Sequence, residues 1–389
     1  MGKASPRCRG TATRVLQLVL TSLVLLDLHG EGLASGLMER TQQVYVGTDG
    51  RGLRVLHFDA SSTMLTMGAT VVDVSKPRWL VQHPSLPLVY AAIDGDGQEG
   101  SVRAYALDRL SGSLTFINEV PSGGAGSTHL WLDAASGTLL VANFGAGSVS
   151  SIPILRDGSL GVRVSTIKAT GSGPHRRQAS PHAHGALIDP SGRFALVSDM
   201  GADRVFVYGF DRVTHALRPD DAVPPRSLAV AAGSGPRRCV FGHDGRFVYV
   251  LNELSADVLT LRWDAAQGRL TPLRSQPISS DDFQGVKSAS EMALSKDGRY
   301  LYVTDRGEHT VVVFVVDPET GELRLLQRLP SGGAAPWAFD IDMSGQWMLV
   351  ANQRSNRINL FRIDVATGLL TDTGRMLESP GPISIAFTR

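Results

Sequence analysis

Along most of the chain, short runs rich in Val, Ile, Leu, Tyr and Phe alternate with turns built from Gly, Asp, Ser and Pro. Segments of that length, β-branched and aromatic with a period near two, predict strands rather than helices. One strand recurs with an aspartate at its end: LRVLHFD, VRAYALD, VSSIPIL, VFVYGFD, VLTLRWD, VVVFVVD and INLFRID. These close at Asp59, Asp108, Leu155, Asp211, Asp264, Asp317 and Asp364, the third copy carrying leucine in unchanged register. The interval of 47 to 56 residues is that of a propeller blade.

Each copy carries the same parts. A strand such as RRCVFGHD leads through a turn (HDGR, PSGR, KDGR or MSGQ) into a second strand, FVYVLNE, FALVSDM, YLYVTDR or WMLVANQ. The aspartate-ended strand is third. A turn such as DAAQGRL or DPETGEL follows, with glycine supplying the positive φ of a hairpin, and then a fourth strand. The first copy begins at QVYVGTD without a first strand, and the chain finishes with PISIAFTR, a strand without partners of its own. The pattern predicts an all-β fold, a seven-bladed β-propeller of four-stranded blades. Its C-terminal strand completes blade one and closes the ring, so the ends leave no open sheet edge. One propeller domain is expected over residues 37–389.

Residues 1–36 read differently. Lys3, Arg7, Arg9 and Arg14 precede the apolar run Val15 to Leu26, and Ala34, Ser35 and Gly36 follow. A basic segment, a short apolar core and a small-residue exit describe a secretory signal peptide and so export. Because no acid precedes Asp27, an organellar transit peptide is the rival. The formal net charge of +1 and the absence of a basic run in the body of the chain argue against a nucleic-acid partner. Once the leader is removed, nothing calls for a membrane either. The two cysteines are Cys8, in the leader, and Cys239, so no intramolecular disulfide is expected.

Candidate chemistry follows from the architecture. The start of each innermost strand and the end of the second lie at the same face of the disc, so residues there converge on one mouth. First strands begin with His129, His184, Arg237 and Arg238, Glu291 and Trp337; second strands end with Asp94, Asn143, Asp199, Glu253, Arg306 and Gln353. Glutamate and histidine can move protons, and guanidinium groups can hold an anion or an oxyanion. Polar residues at strand ends also commonly solvate a mouth or cap a loop. That plainer role suits Asn143, Asp199 and Asn352, which recur at one blade position, and Asp257, expected to bond turn backbone. His182 and His184 alternate along a strand and are expected to face apart, so no metal pair is expected; no cofactor is called for. No GxSxG motif occurs, which leaves acyl-enzyme chemistry unsupported.

The stretches SPHAHGALIDPSGRFALVSDMGADRV, GSGPRRCVFGHDGRFVYVLNEL, ASEMALSKDGRYLYVTDRG and GQWMLVANQRSNRI resemble the seven-bladed lactonases, typified by propeller-type 6-phosphogluconolactonases and the fungal carboxy-cis,cis-muconate cyclase. The resemblance runs from YVGT at Tyr45 to the closing strand. It implies a site of one histidine, two arginines and a glutamate, here His184, Arg237, Arg306 and Glu253, with Glu291 at a further acidic position. Two positions depart from the family: Arg238 stands where histidine is frequent, and Trp337 where arginine is common. His129, Arg238, Glu291, Trp337 and Gln353 are expected to contact substrate.

The expected activity is hydrolysis of an anionic, sugar-acid-type lactone without a metal. In that reading Glu253 orients or deprotonates water, Arg237 and Arg306 hold the substrate and the oxyanion, and His184 donates to the leaving alkoxide. The same four residues would serve a cycloisomerase that forms or opens a lactone by protonating carbon. A non-catalytic propeller that binds a partner on one disc face is the third alternative.

Overall fold

Seven antiparallel sheets follow one another around a ring in the computed structural model, which describes residues 1–2 and 41–388. The leader expected over residues 1–36 lies, beyond its first two positions, outside the described residues. Within each sheet the strands run in chain order from the axis outward. In the first blade the innermost place is taken by Pro382–Phe387, the C-terminal strand, paired antiparallel with Thr41–Thr48. The ring is therefore closed as the sequence predicts. Blade four departs from the four-strand pattern. Its outer strand is split into Ala216–Arg218 and Leu228–Ala229, both paired to Arg204–Asp211, with the intervening residues looped out.

The core lies between blades rather than inside one sheet. In the second strand of blade five, Phe247, Tyr249 and Leu251 pack toward blade six, while Val248 and Val250 pack toward blade four. Both faces are thus buried, and the strand reads as a continuous apolar run although its side chains alternate. Seven apolar clusters, one for each blade-to-blade contact, repeat this arrangement.

The recurring aspartate is a turn residue. Asp264 Oδ1 accepts from the N–H groups of Ala266 and Gln267, and Gly268 N donates back to the Asp264 carbonyl. Asp108, Asp211, Asp317 and Asp364 bond their own turns in the same way. Where Leu155 replaces it, Asp157 takes over by accepting from Ser159 N. Glycine takes the left-handed position in turns such as DAAQGRL and DPETGEL, as expected, while blades one and four use Thr63 (φ 54°) and His215 (φ 59°). His215 Nδ1 pairs with the Thr138 hydroxyl at 2.8 Å, which helps hold that conformation.

Candidate active site

The innermost strands share an irregularity that the sequence pattern does not reveal. Each breaks register with its neighbour near its first residue, leaving Ile383, Arg78, Thr128, His184, Arg237 and Trp337 unpaired in six blades, and Ser290 with Glu291 in the other. A bulge of this kind turns a side chain out of the regular alternation. Here it turns one residue per blade toward the axis. Ile383, Arg78, Thr128, His184, Arg237, Glu291 and Trp337 all line one cavity of about 220 Å³, together with Asp94, Phe144, Arg177, Glu253 and Arg306.

Glu253 is the centre of that cavity. It follows the second strand of blade five, Phe247–Asn252, and its backbone N–H is fixed by the Gly235 carbonyl. Only 1% of its side chain is exposed, yet three guanidiniums reach it. Arg177 Nη1 lies 2.6 Å and Arg306 Nη2 2.8 Å from Oε1, and Arg237 Nε lies 3.2 Å from Oε2. Burial pushes the carboxyl up, but Arg306, Arg237 and Arg177 outweigh it and hold the group down at about 2. Glu253 is therefore a fixed anion and a weak base.

His184 faces the same carboxylate, Nε2 lying 3.8 Å from Oε2, while Nδ1 has no hydrogen-bond partner. Burial, with Arg237 and Arg238 beside it, holds the imidazole well below the usual histidine range. It is neutral at pH 7. Arg237, 2% exposed, sits between Glu253 and Glu291, whose Oε2 is 3.6 Å from Nη1. Burial and Arg238 press its guanidinium down to about 9, still charged at neutral pH. Its Nε and Nη1 are buried without an aligned acceptor, so both keep donor capacity for a ligand oxygen.

Beneath these groups Arg238 crosses the axis. Its Nε lies 3.1 Å from Glu291 Oε1, its Nη1 donates to the His184 carbonyl at 2.7 Å, and its guanidinium covers the Trp79 ring at 4.2 Å. Trp79 in turn packs on His129, with ring centroids 4.7 Å apart. Gly185 leaves the passage open, because a Cβ there would lie 2.8 Å from the Arg237 carbonyl oxygen. Arg238 and Trp79 form the floor of the cup, with His129 behind them. Arg238→Met is accordingly expected to act mainly on stability. Removing one partner of a buried pair costs about 3 kcal/mol, which urea denaturation would register while KM moves severalfold at most.

The other expected residues separate. Arg306, Glu291 and Trp337 line the cavity, Trp337 lying flat under the Arg306 guanidinium at 4.4 Å. His129 is buried behind the lining, where Nδ1 accepts from Ala186 N at 3.3 Å, and burial holds it neutral. It was expected to contact substrate; the bulge instead turns its neighbour Thr128 into the cup. Gln353, also expected there, donates to Asp49 Oδ2 and does not line the cavity. His182 and His184 do not face apart either. His182 stacks on Phe144 (4.4 Å) and His184 meets the same ring edge-on (5.4 Å), since residues two apart along an extended chain fall on one side and the spacing does not separate them.

The turn roles hold with one change. Asn143 and Asn352 bond the Ser122 and Ser331 carbonyls, and Asp199 accepts from His182 N and Ala202 N. Asp257 takes the hydroxyls of Ser255 and Ser275 rather than turn backbone.

Arg177 and Arg78 were missed. Arg78 had a signal, since Pro77 precedes it as Pro236, Pro336 and Pro382 precede Arg237, Trp337 and Ile383. Arg177 lies in the coil before blade four, where no periodicity marks it. Among the described residues no group of His, Cys, Asp or Glu is arranged to hold a metal. The lining carries five guanidiniums (Arg78, Arg177, Arg237, Arg238, Arg306) against three carboxylates (Asp94, Glu253, Glu291), and Asp49, just outside the lining, pairs with Arg78 at 2.8 Å.

The family described as Lactonase, 7-bladed beta-propeller matches residues 42–387. The 6-phosphogluconolactonase of Bacillus subtilis (strain 168) is 30% identical over 88% of this chain and 97% of its own. That of Formosa agariphila is also 30% identical, over 86% of this chain and 95% of its own. Among solved structures, the periplasmic gluconolactonase of Pseudomonas aeruginosa superposes with a TM-score of 0.83 at 31% identity, covering 90% of this chain and 99% of that one.

Proposed function

Because the chain belongs to the lactonase family of seven-bladed β-propellers, and is a lactone hydrolase of sugar metabolism, we propose that its substrate is a phosphorylated sugar-acid lactone of the 6-phosphogluconolactone kind, opened in the cup around Glu253. The observation that carries this is the excess of guanidiniums over carboxylates in the lining of the cavity. A cup lined in this way favours an anionic lactone over a neutral one.

The electrostatics move the base from Glu253 to His184, which keeps its expected role toward the departing oxygen. Glu253, held at about 2, is too weak a base for water; His184, neutral and with a free nitrogen, is the better one. In the mechanism, water attacks the lactone carbonyl as His184 takes its proton. Glu253, 3.8 Å away, steadies the imidazolium that forms. Arg237 donates to the carbonyl oxygen as it becomes an oxyanion. Collapse of the tetrahedral intermediate breaks the ring C–O bond, and His184 returns the proton to the departing ring oxygen. One group thus serves as base and then as acid, and the product is an open hydroxy acid.

A panel of phosphorylated and unphosphorylated lactones, read by acid release, tests the substrate assignment. Lower KM for 6-phosphogluconolactone than for gluconolactone is expected; the reverse order overturns it. The leader read over residues 1–36 and the likeness to a periplasmic gluconolactonase favour export. N-terminal sequencing of the native protein should find a first residue near Leu37.

A further inference from the structure

Four guanidiniums share two carboxylates at the heart of the cup, and they are not equally held. Arg237 is buried between Glu253 and Glu291. Arg238 is tied to Glu291, to the His184 carbonyl and to the Trp79 face. Arg306 donates to the Ala289 carbonyl and lies on Trp337. Arg177 differs from all three. Its guanidinium reaches Glu253 Oε1 at 2.6 Å, and 43% of its side chain is exposed.

The backbone that carries Arg177 is fixed. The neighbouring Gln178 is fully buried; its amide donates to the Met200 carbonyl and to Asp203, and its Oε1 accepts from His175 N. Gly173 N and the Gln178 carbonyl close the loop at 2.9 Å. A long side chain therefore projects from a rigid base into the mouth. If it leaves Glu253, Arg306 at 2.8 Å and Arg237 at 3.2 Å still compensate the carboxylate. The converse does not hold for the other three, each of which would abandon a buried partner.

The geometry points to Arg177 as the residue that recognises the substrate's phosphate, a clasp which the incoming anion takes over from Glu253. This rests on the reading of the substrate as a phosphorylated lactone. A guanidinium fork suits a phosphate, binding two oxygens in one plane, and a partly exposed ion pair is the one most easily exchanged. Arg177 is thus a specificity-determining residue that touches the part of the substrate remote from the reacting carbonyl. Losing it should cost binding of the phosphorylated substrate and leave the chemical step nearly unchanged.

The test compares wild type with Arg177→Gln on 6-phosphogluconolactone and gluconolactone, with kcat and KM read separately. Binding of the product 6-phosphogluconate by calorimetry gives a readout that needs no turnover. KM for the phosphorylated lactone and Kd for 6-phosphogluconate should rise on the order of tenfold to a hundredfold, the value of a charged hydrogen bond. KM for gluconolactone and kcat on both should stay within about threefold, and Arg177→Lys should recover part of the loss. Equal changes on both lactones, or none on either, overturn the role of Arg177 while leaving a wild-type preference for the phosphorylated lactone intact. A wild type that prefers gluconolactone and does not bind 6-phosphogluconate overturns the substrate reading and this inference with it.

Discussion

Glu253→Gln is expected to lower kcat about a thousandfold, the middle of the range for losing a group that supports proton transfer. Glutamine keeps the size and one carbonyl oxygen of the side chain, so packing alone should change little. What disappears is the negative charge. Arg177, Arg306 and Arg237 then face one another around a neutral amide, and the imidazolium of His184 forms without its counter-charge 3.8 Å away. The same substitution removes the shared partner of a buried ionic cluster, a loss of about 3–5 kcal/mol in stability. The two effects separate by pH. Glu253 is held at about 2 against an ordinary 4.5, so between those values the unfolded chain binds more protons than the folded one. Its contribution to stability is present above about pH 4.5 and is lost as pH falls toward 2. Thermal denaturation from pH 7 to pH 3 should therefore show a steeper acid decline for wild type than for the variant. A variant that retains wild-type turnover would remove Glu253 from the chemistry altogether.

The aspartate-ended strand and the turn glycines were enough to count the blades, because a propeller repeats one hydrogen-bonded unit and each unit signs itself at its tightest turn. Ring closure was legible for a similar reason: a first copy short of a strand and a last strand short of partners have one economical solution. The site was legible only where strand ends give position, which is how His184, Arg237, Glu253 and Arg306 come together on paper. The bulge was hidden, since it changes which of two adjacent residues faces the axis without changing composition. It put His129 behind the cup and Thr128 in it. Arg238 illustrates the other limit. Beside Arg237 in sequence it reads as a second substrate contact; it does line the cavity, and one residue past the bulge it also reaches Trp79, three blades away in sequence and facing it across the axis. Arg177 had no period to betray it, because coil carries no register. The protonation states were hidden as well: a glutamate and a histidine suggest base and acid in that order, and three converging guanidiniums are what take the base role from the glutamate.

His184→Asn is the second large effect, again about a thousandfold in kcat, with little change in KM if the residue moves the proton and does not bind substrate. Asparagine preserves a polar side chain near Phe144, whose ring His184 meets at 5.4 Å, but cannot accept and return a proton. Wild type supplies the sharper test through its pH profile. Burial, Arg237 and Arg238 hold the free imidazole well below 6.5, so kcat/KM, which reports the free enzyme, should stay level as pH falls through 6.5 and decline only further down. The profile of kcat reports the complex, where a phosphate held at Arg177 adds negative charge to the cup. That charge offsets part of what depresses His184, so the acid limb of kcat should lie higher than that of kcat/KM. With an unphosphorylated lactone the two limbs should nearly coincide, since no such charge enters. In His184→Asn the acid limb should vanish from whatever rate remains, after subtraction of spontaneous ring opening. An acid limb of kcat/KM at or above 6.5 in wild type would place the working base elsewhere, because nothing at this site raises the His184 imidazole enough to titrate there.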